Sequence, residues 1–582
     1  MMRTHACGEL RAEHAGQTVT LAGWVHHRRD HGKVIFLDLR DAAGTVQIVV
    51  HPDESAQAYE SADACQREYC VLITGEVTER KPGTENPRLA TGDVEVRARS
   101  VEVLSTSETP PFVIEDDIEV DETTRLKYRY LDLRRPLMQH TVRLRAQVMR
   151  EIRRYLDERS FTEIETPILF KSTPEGARDF LVPSRLQPGT FYALPQSPQM
   201  MKQLLMVAGF ERYYQLARCF RDEDLRADRQ LEHTQLDLEM SFVERDDVLD
   251  LVEGLFVHLW RACLGVELPQ PFPRVSYDEA VRRFGSDHVD LRFGMELSDV
   301  AEVFADTSLG IFKRVLDSGG VMRAFALPGG GEMHHNELRR LEKETMERGA
   351  KGLTWIKLLP GGEVDSPIAK HLSTEEIASL QKTLGAGPGD LVLMMADQPA
   401  VVNPILGALR MQLAAERGLV PADEWGFCWV VDYPFFEWNP AEQRFDPIHH
   451  PFTSFEGDIA GEPTEVRALA YDLVVGGLEV LSGSIRIHRP DLQAKVFDAL
   501  GISKEEAEQR FGFFLEAFNY GPPPHGGIGC GIDRVVMKML GVENIRDVVT
   551  FPKTQSGGDP LSGAPTAADA AQLRELGIRT IE

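Results

Sequence analysis

Between Gln215 and Met240 the chain alternates in a way that leaves few folds open to it. His233, Gln235, Asp237 and Glu239 take one side, and Leu236, Leu238 and Met240 the other, which is the period of a half-buried strand. Tyr214 to Arg221 also reads as strand, and the charged run from Asp222 to Gln230 joins the two as a loop. The pattern predicts a long hairpin whose polar face carries Arg, His, Gln and Asp in a row. Such a face is either solvated or the floor of a site, and its neighbours decide which.

Arg221-Asp-Glu223, a long loop and a strand with carboxylate and amide on one side resemble motif 2 of the class II aminoacyl-tRNA synthetases. The fuller run Phe220-Arg-Asp-Glu-Asp-Leu-Arg-Ala-Asp-Arg-Gln230 resembles the bacterial-type aspartyl-tRNA synthetases. The resemblance implies that Arg221 holds the α-phosphate of ATP, with Asp222, Glu223, Gln230 and His233 around the nucleotide and Asp237 facing the amino acid. His233 stands where relatives stack a phenylalanine on adenine, and Leu231 where they have proline. A flat imidazole still stacks, so ATP binding is expected to survive.

Composition fits this only with a qualification. Lys+Arg 64 against Asp+Glu 91 gives −27, whereas nucleic-acid-binding domains are usually basic. Phosphate contacts are local, however, within a Debye length of roughly 8–10 Å. Basic residues concentrate in His26–Lys33 and from Arg125 through Lys127, Arg129, Arg134, Arg135, Arg143 and Arg145. The 582 residues allow several domains, no apolar run is long enough to span a bilayer, and the first residues lack a hydrophobic signal core. A cytoplasmic protein with no membrane partner is expected. The seven cysteines form no Cys-x-x-Cys pair and read as reduced packing residues.

The fold class expected is α+β and multidomain. Five strand-like runs (Thr18–His26, Val34–Arg40, Val46–His51, Cys70–Glu79, Val94–Leu104) suit an OB-fold β-barrel over residues 1–104. Trp24-Val-His-His-Arg-Arg-Asp30 followed by Val34-Ile-Phe-Leu-Asp-Leu-Arg40 resembles the anticodon-binding domain of the same family. Unstacked anticodon bases can be read by an aromatic face and nearby amides. The resemblance implies that Phe36 stacks on the middle base, Gln47 bonds bases, and Arg28 and Arg29 hold backbone. His31 and Gly83 stand where relaxed family members, which charge both tRNA-Asp and tRNA-Asn, carry His and Gly. Residues 105–121, with Pro110-Pro111 and Glu115-Asp-Asp117, read as a linker.

Residues 122–292 are expected to form the first part of an antiparallel-sheet catalytic domain, 293–418 an α/β inserted domain, and 419–582 the second part with a C-terminal extension. A helical stripe from Val142 to Leu156, then a strand Phe161–Pro167, resembles motif 1, which implies a homodimer through the family. Ser172–Asp179 resembles the loop that closes over the amino acid, with Glu175 at the α-ammonium group. In Gln196-Ser-Pro-Gln-Met-Met-Lys-Gln203, Gln199 and Lys202 share a helix face. By resemblance both line the aspartate pocket.

His449-His-Pro-Phe-Thr453 contributes His449 to the same pocket by resemblance. Gly476-Gly477 suits a two-residue turn. That register pairs Val474 with Glu479 and Asp472 with Leu481, making Asp472 and Glu479 diagonal neighbours about 7–8 Å apart. Such carboxylates can share Mg²⁺ beside ATP phosphates. Strict alternation would turn Arg486 away from Glu479, although the family needs both, so a bulge is expected within Leu481-Ser-Gly-Ser484. Gly526-Gly-Ile-Gly-Cys-Gly-Ile-Asp-Arg534 resembles motif 3, implying that Gly531, Ile532, Asp533 and Arg534 meet ATP.

The activity implied is that of an aspartate–tRNA ligase. ATP activates L-aspartate to aspartyl-adenylate, which is passed to tRNA-Asp; the alternative is a non-discriminating enzyme that also charges tRNA-Asn. Arg221, Arg534 and Glu479 are the expected catalytic residues. Lys202 and Arg486 are expected to offer buried cations to the substrate carboxylate, which asparagine could not neutralise. A sibling synthetase for asparagine or lysine, a non-catalytic tRNA-binding relative and an adenylate enzyme making asparagine are the competing readings.

Overall fold

Residues 1–173, 177–439, 442–459 and 461–581 are described by a computed structural model. The chain forms two compact units, residues 1–143 with 546–567, and residues 144–545 with 568–582.

In the first unit five strands, Thr18–Asp30, Ile35–Arg40, Thr45–Val50, Cys70–Glu79 and Val94–Ser105, close a barrel in the order first, second, third, fifth, fourth. Alternation puts Ile35, Leu37, Leu39, Val46, Ile48 and Val50 in its core, all fully buried, and leaves Phe36, Asp38, Gln47 and Val49 facing outward. The helix Ala56–Ala64, unmarked in the sequence reading, follows the third strand with Ser55 as its cap. Beyond the barrel, the buried Arg129 donates to the carbonyls of Val549 and Thr550 at 2.9 and 2.8 Å, while Asp132 binds both Arg129 and Arg135. These arginines are therefore structural ion pairs, and not the exposed phosphate contacts their concentration in sequence suggested.

The second unit is built on an eight-stranded sheet. Its order is Arg274–Ser276, Phe427–Val431, Ala470–Val475, Leu478–Ile485, His525–Gly531, Glu232–Ser241, Arg212–Phe220 and Thr162–Glu163. The expected long hairpin is present, Asp237 opposite Gln215 and Glu239 opposite Tyr213. Its polar side is not half-exposed, however: Asp237 and Glu239 are buried to 1% and 0%, because helix Gln199–Val207 and the strand His525–Gly531 cover them. The strand expected at Phe161–Pro167 pairs only over Thr162–Glu163, at the sheet edge.

A bulge does separate Glu479 from Arg486, but at Val480 and not within 481–484. Val474 pairs with Glu479, Leu473 with Leu481, and Asp472 with Ser482 instead of Leu481. The extra residue reverses the alternation, so Glu479, Ser482, Ser484 and Arg486 all line one cavity. Residues 293–418 contribute a separate five-stranded sheet, Ser298–Asp299, Val321–Leu327, Leu391–Asp397, Thr354–Leu358 and Val364–Asp365, with an apolar core on each face.

The glycines of His525–Gly531 answer the charges of the neighbouring strand. Gly527, Gly529 and Gly531 lie opposite Glu239, Asp237 and Gln235. A Cβ on Gly527 would come 2.1 Å from the Leu238 carbonyl and 2.2 Å from Glu239 Oε2. Gly527→Ala is therefore expected to destabilise the protein by about 1–3 kcal/mol, the range for overpacking a filled core, read as a lower urea midpoint. A Gly529→Ala control, whose Cβ meets nothing closer than 3.6 Å, should move it far less.

Candidate active site

A cavity of about 870 Å³ opens on the polar face of the eight-stranded sheet. Its floor is a quartet of buried charges. Lys202, from helix Gln199–Val207, donates to Asp237 Oδ1 at 3.0 Å and the Ile528 carbonyl at 2.9 Å, and lies 3.6 Å from Glu239 Oε2. Arg486 donates through Nε to Glu239 Oε1 at 2.8 Å and through Nη2 to Oε2 at 3.2 Å. Its Nη1 meets His450 Nε2 at 2.7 Å and Ser484 Oγ at 2.5 Å.

All four charged side chains are at most 2% exposed. Burial alone would raise Glu239, but Arg486 and Lys202 outweigh it and hold its carboxyl below the ordinary value. Asp237 moves the other way, because burial outweighs the pull of Lys202. The two cations are thus paired with carboxylates of the protein as well as lining the cavity. Bare buried ions would cost several kcal/mol each.

What remains unpartnered is informative. Gln199 Nε2, Arg221 Nε, His449 Nδ1 and Asp237 Oδ2 are buried without a hydrogen-bond partner among the described residues, and all four residues line the cavity. Buried polar atoms are rarely left so. Three ring, amide or guanidinium nitrogens and one carboxylate oxygen in one hollow complement a ligand with both carboxylate and ammonium groups.

At the other end, Arg534 donates to the Glu479 carbonyl at 2.9 Å and to Asp228 Oδ2 at 2.8 Å, and sits 3.8 Å from Glu479 Oε1. Burial and the nearby Asp472 raise Glu479 above the ordinary carboxylate value. Asp472 is buried, its Oδ2 accepting from Tyr433 at 2.8 Å and its Oδ1 3.6 Å from His449 Nε2. Burial, reinforced by Arg221, Arg534 and Arg218, lowers His233 to about 3, so its ring is neutral.

The expected residues Gln199, Lys202, Arg221, Glu223, Gln230, His233, Asp237, His449, Glu479, Arg486, Gly531, Asp533 and Arg534 all line this cavity. Within it Asp533 is spoken for, binding Arg145 at 2.9 Å and the Thr234 N–H at 3.1 Å. Asp222 points to Arg178, Ile532 is core, and neither lines the cavity. Glu175 lies outside the described residues. Sequence reasoning assigned no role to Glu239 or His450, although alternation had put Glu239 beside Asp237 and His450 adjoins His449; Tyr433 carried no signal at all.

On the barrel, Arg29 donates to Asp38 at 2.8 Å and Gln47 Oε1 at 3.2 Å, and Gln47 donates to Glu95 at 2.9 Å. His31 and Phe36 pack edge to face, 5.5 Å apart. Arg28 pairs with Asp63, and Gly83 takes φ +85° in an exposed loop.

Residues 121–555 match the family described as tRNA synthetases class II (D, K and N), and residues 19–104 the OB-fold nucleic acid binding domain. The chain belongs to this class II family of tRNA synthetases. It is 50% identical over 584 residues to the aspartate–tRNA(Asp/Asn) ligase of Natranaerobius thermophilus, each covered in full. It is 52% identical over 581 residues to that of Rubrobacter xylanophilus, covering 99% of this chain and 96% of that one. The fold is shared with the asparaginyl-tRNA synthetase of Pyrococcus horikoshii complexed with asparaginyl-adenylate, at TM-score 0.60 and 21% identity, over 95% of this chain and 99% of that one. All seven cysteines are free, and no described helix is long and apolar enough to cross a membrane.

His233 makes the site acid-sensitive. An unfolded imidazole takes a proton near 6.5 but the folded one resists to about 3, so between these values the unfolded state holds more protons and stability drops as the pH is lowered. One such proton is worth about 1.4 kcal/mol per pH unit. In His233→Phe the loss of stability between pH 7 and pH 5, from urea unfolding, is expected to be smaller by about 2 kcal/mol.

Proposed function

We propose that this chain is an aspartate–tRNA ligase. The amino acid's own α-carboxylate oxygen attacks the α-phosphorus of ATP, forming aspartyl-adenylate as pyrophosphate leaves. A terminal ribose hydroxyl of tRNA then attacks the activated carbonyl, forming the ester as AMP leaves. No side-chain nucleophile is required, and the chain's contribution is alignment and charge.

The observation that carries this reading is the set of unpartnered buried atoms in the sheet cavity. Asp237 Oδ2 suits the ammonium group, Gln199 and His449 the amino acid's remaining polar groups, and Arg221 the phosphate. Arg534 stabilises the nucleotide from the opposite side, His233 stacks on adenine, and Glu223, Gln230 and Gly531 border the ribose and base. Lys202 and Arg486 act through the quartet, favouring the ionised form of Glu239 and aiming both carboxylates. Glu175 is proposed to close over the ammonium group.

The pair Asp472 and Glu479 fits a divalent cation. Asp472 Oδ1 is buried with no hydrogen-bond partner, and mutual repulsion with Glu479 is what a cation relieves. Mg²⁺ held there would neutralise phosphate charge. On the barrel, the outward row Arg29, Phe36 and Gln47, with Arg28, is proposed to read the anticodon. His31 and Gly83, together with the Asp/Asn in the relatives' printed names, favour charging of tRNA-Asn as well as tRNA-Asp. A homodimer through the motif 1 elements, a cytoplasmic location and the division at 104, 121, 292 and 418 complete the proposal.

ATP–pyrophosphate exchange tests it. Aspartate should support exchange, with asparagine and lysine more than a hundredfold weaker in kcat/KM; equal use of asparagine would defeat the reading. Charging purified tRNA-Asp and tRNA-Asn in parallel should give aspartyl ester on both, and a null result with tRNA-Asn would leave the discriminating enzyme.

A further inference from the structure

Tyr433 lies in no part of the chain to which sequence assigned chemistry. It follows the strand Phe427–Val431, after Asp432 at φ +58°, and is 1% exposed. Its hydroxyl donates to Asp472 Oδ2 at 2.8 Å. Its ring meets that of His449 edge to face, with centroids 4.8 Å apart and planes at 80°, and packs on Tyr277 at 5.0 Å from behind.

The consequence reaches the cavity. With Oδ2 held, the Asp472 carboxylate cannot turn, and Oδ1 stays 3.6 Å from His449 Nε2. At that distance the carboxylate orients the ring by charge and not by a hydrogen bond, alongside the edge-to-face contact of Tyr433. The other nitrogen, Nδ1, is then presented to the cavity, where it is buried and without a partner.

We propose that Tyr433 is a positioning residue for the amino-acid pocket, setting the aim of His449 both by direct ring contact and through Asp472. This rests on the reading of His449 as a substrate contact. One phenol thereby fixes two side chains of different strands and loops, and its effect, measured without metal, should fall on the amino acid.

The test is Tyr433→Phe, which keeps the ring and deletes the donor, alone and combined with His449→Ala. In the single variant, KM for aspartate in ATP–pyrophosphate exchange should rise about five- to tenfold, more than any change in KM for ATP. Aspartate affinity measured by calorimetry without ATP or metal should weaken by the same factor. In the His449→Ala background the second substitution should add less than twofold, since coupled residues are not additive. An unchanged aspartate affinity in Tyr433→Phe, an equal loss for ATP, or an undiminished effect without His449 would each overturn the inference. If His449→Ala by itself leaves aspartate affinity intact, the pocket assignment fails and this inference with it; if only Tyr433→Phe is silent, the pocket stands. Should Tyr433→Phe not fold, Asp472→Asn, titrated with aspartate under the same ATP- and metal-free conditions, carries the same expectation.

Discussion

The ion quartet of Lys202, Asp237, Glu239 and Arg486 is the constraint on which the rest of the catalytic unit depends. Two cations and two carboxylates, drawn from a helix, the hairpin and a distant strand, sit at or below 2% exposure. Separately, each would carry a desolvation cost of several kcal/mol; paired, with only Asp237 Oδ2 among their oxygens left without a hydrogen bond from the described residues, they are tolerable. A slip of one residue in any contributing strand would turn its charge to the opposite face. The quartet therefore binds the sheet order and the floor of the site into a single condition.

Glycine makes that arrangement possible. Gly527 and Gly529 stand opposite Glu239 and Asp237, where the first has no room for a side chain and the second keeps the cavity open. The bulge at Val480 does the complementary work on the other side, bringing Glu479 and Arg486 onto one face. The site thus comes from two local departures from regular sheet: missing side chains on one strand and an extra residue on the next.

The chemistry that follows is that of positioning. The four unpartnered atoms at one end of the cavity and the arginine and carboxylate groups at the other match a small dicarboxylic zwitterion and a nucleotide. The quartet's charges are paired within the protein, and the unpartnered atoms around it are backed by residues that do not line the hollow, Asp472 and Tyr433 among them. The same economy holds on the barrel, where Gln47 is held between Arg29 and Glu95.

Much of this was legible in the sequence. Alternation located the 215–240 hairpin, the Gly476-Gly477 turn set the register of the next one as far as Val474 and Glu479, and motif order gathered thirteen of the expected residues that line one cavity. Those signals are local, since period, turn chemistry and spacing are properties of neighbours in the chain. Tertiary structure alone decided which charges neutralise one another, where the bulge falls, that Asp533 serves Arg145 and a backbone amide, that Arg129 and Arg135 are buried, and that Tyr433 stands behind His449. The physical reason is that burial and pairing are set by residues hundreds of positions apart, and a sequence records each partner without recording the distance between them.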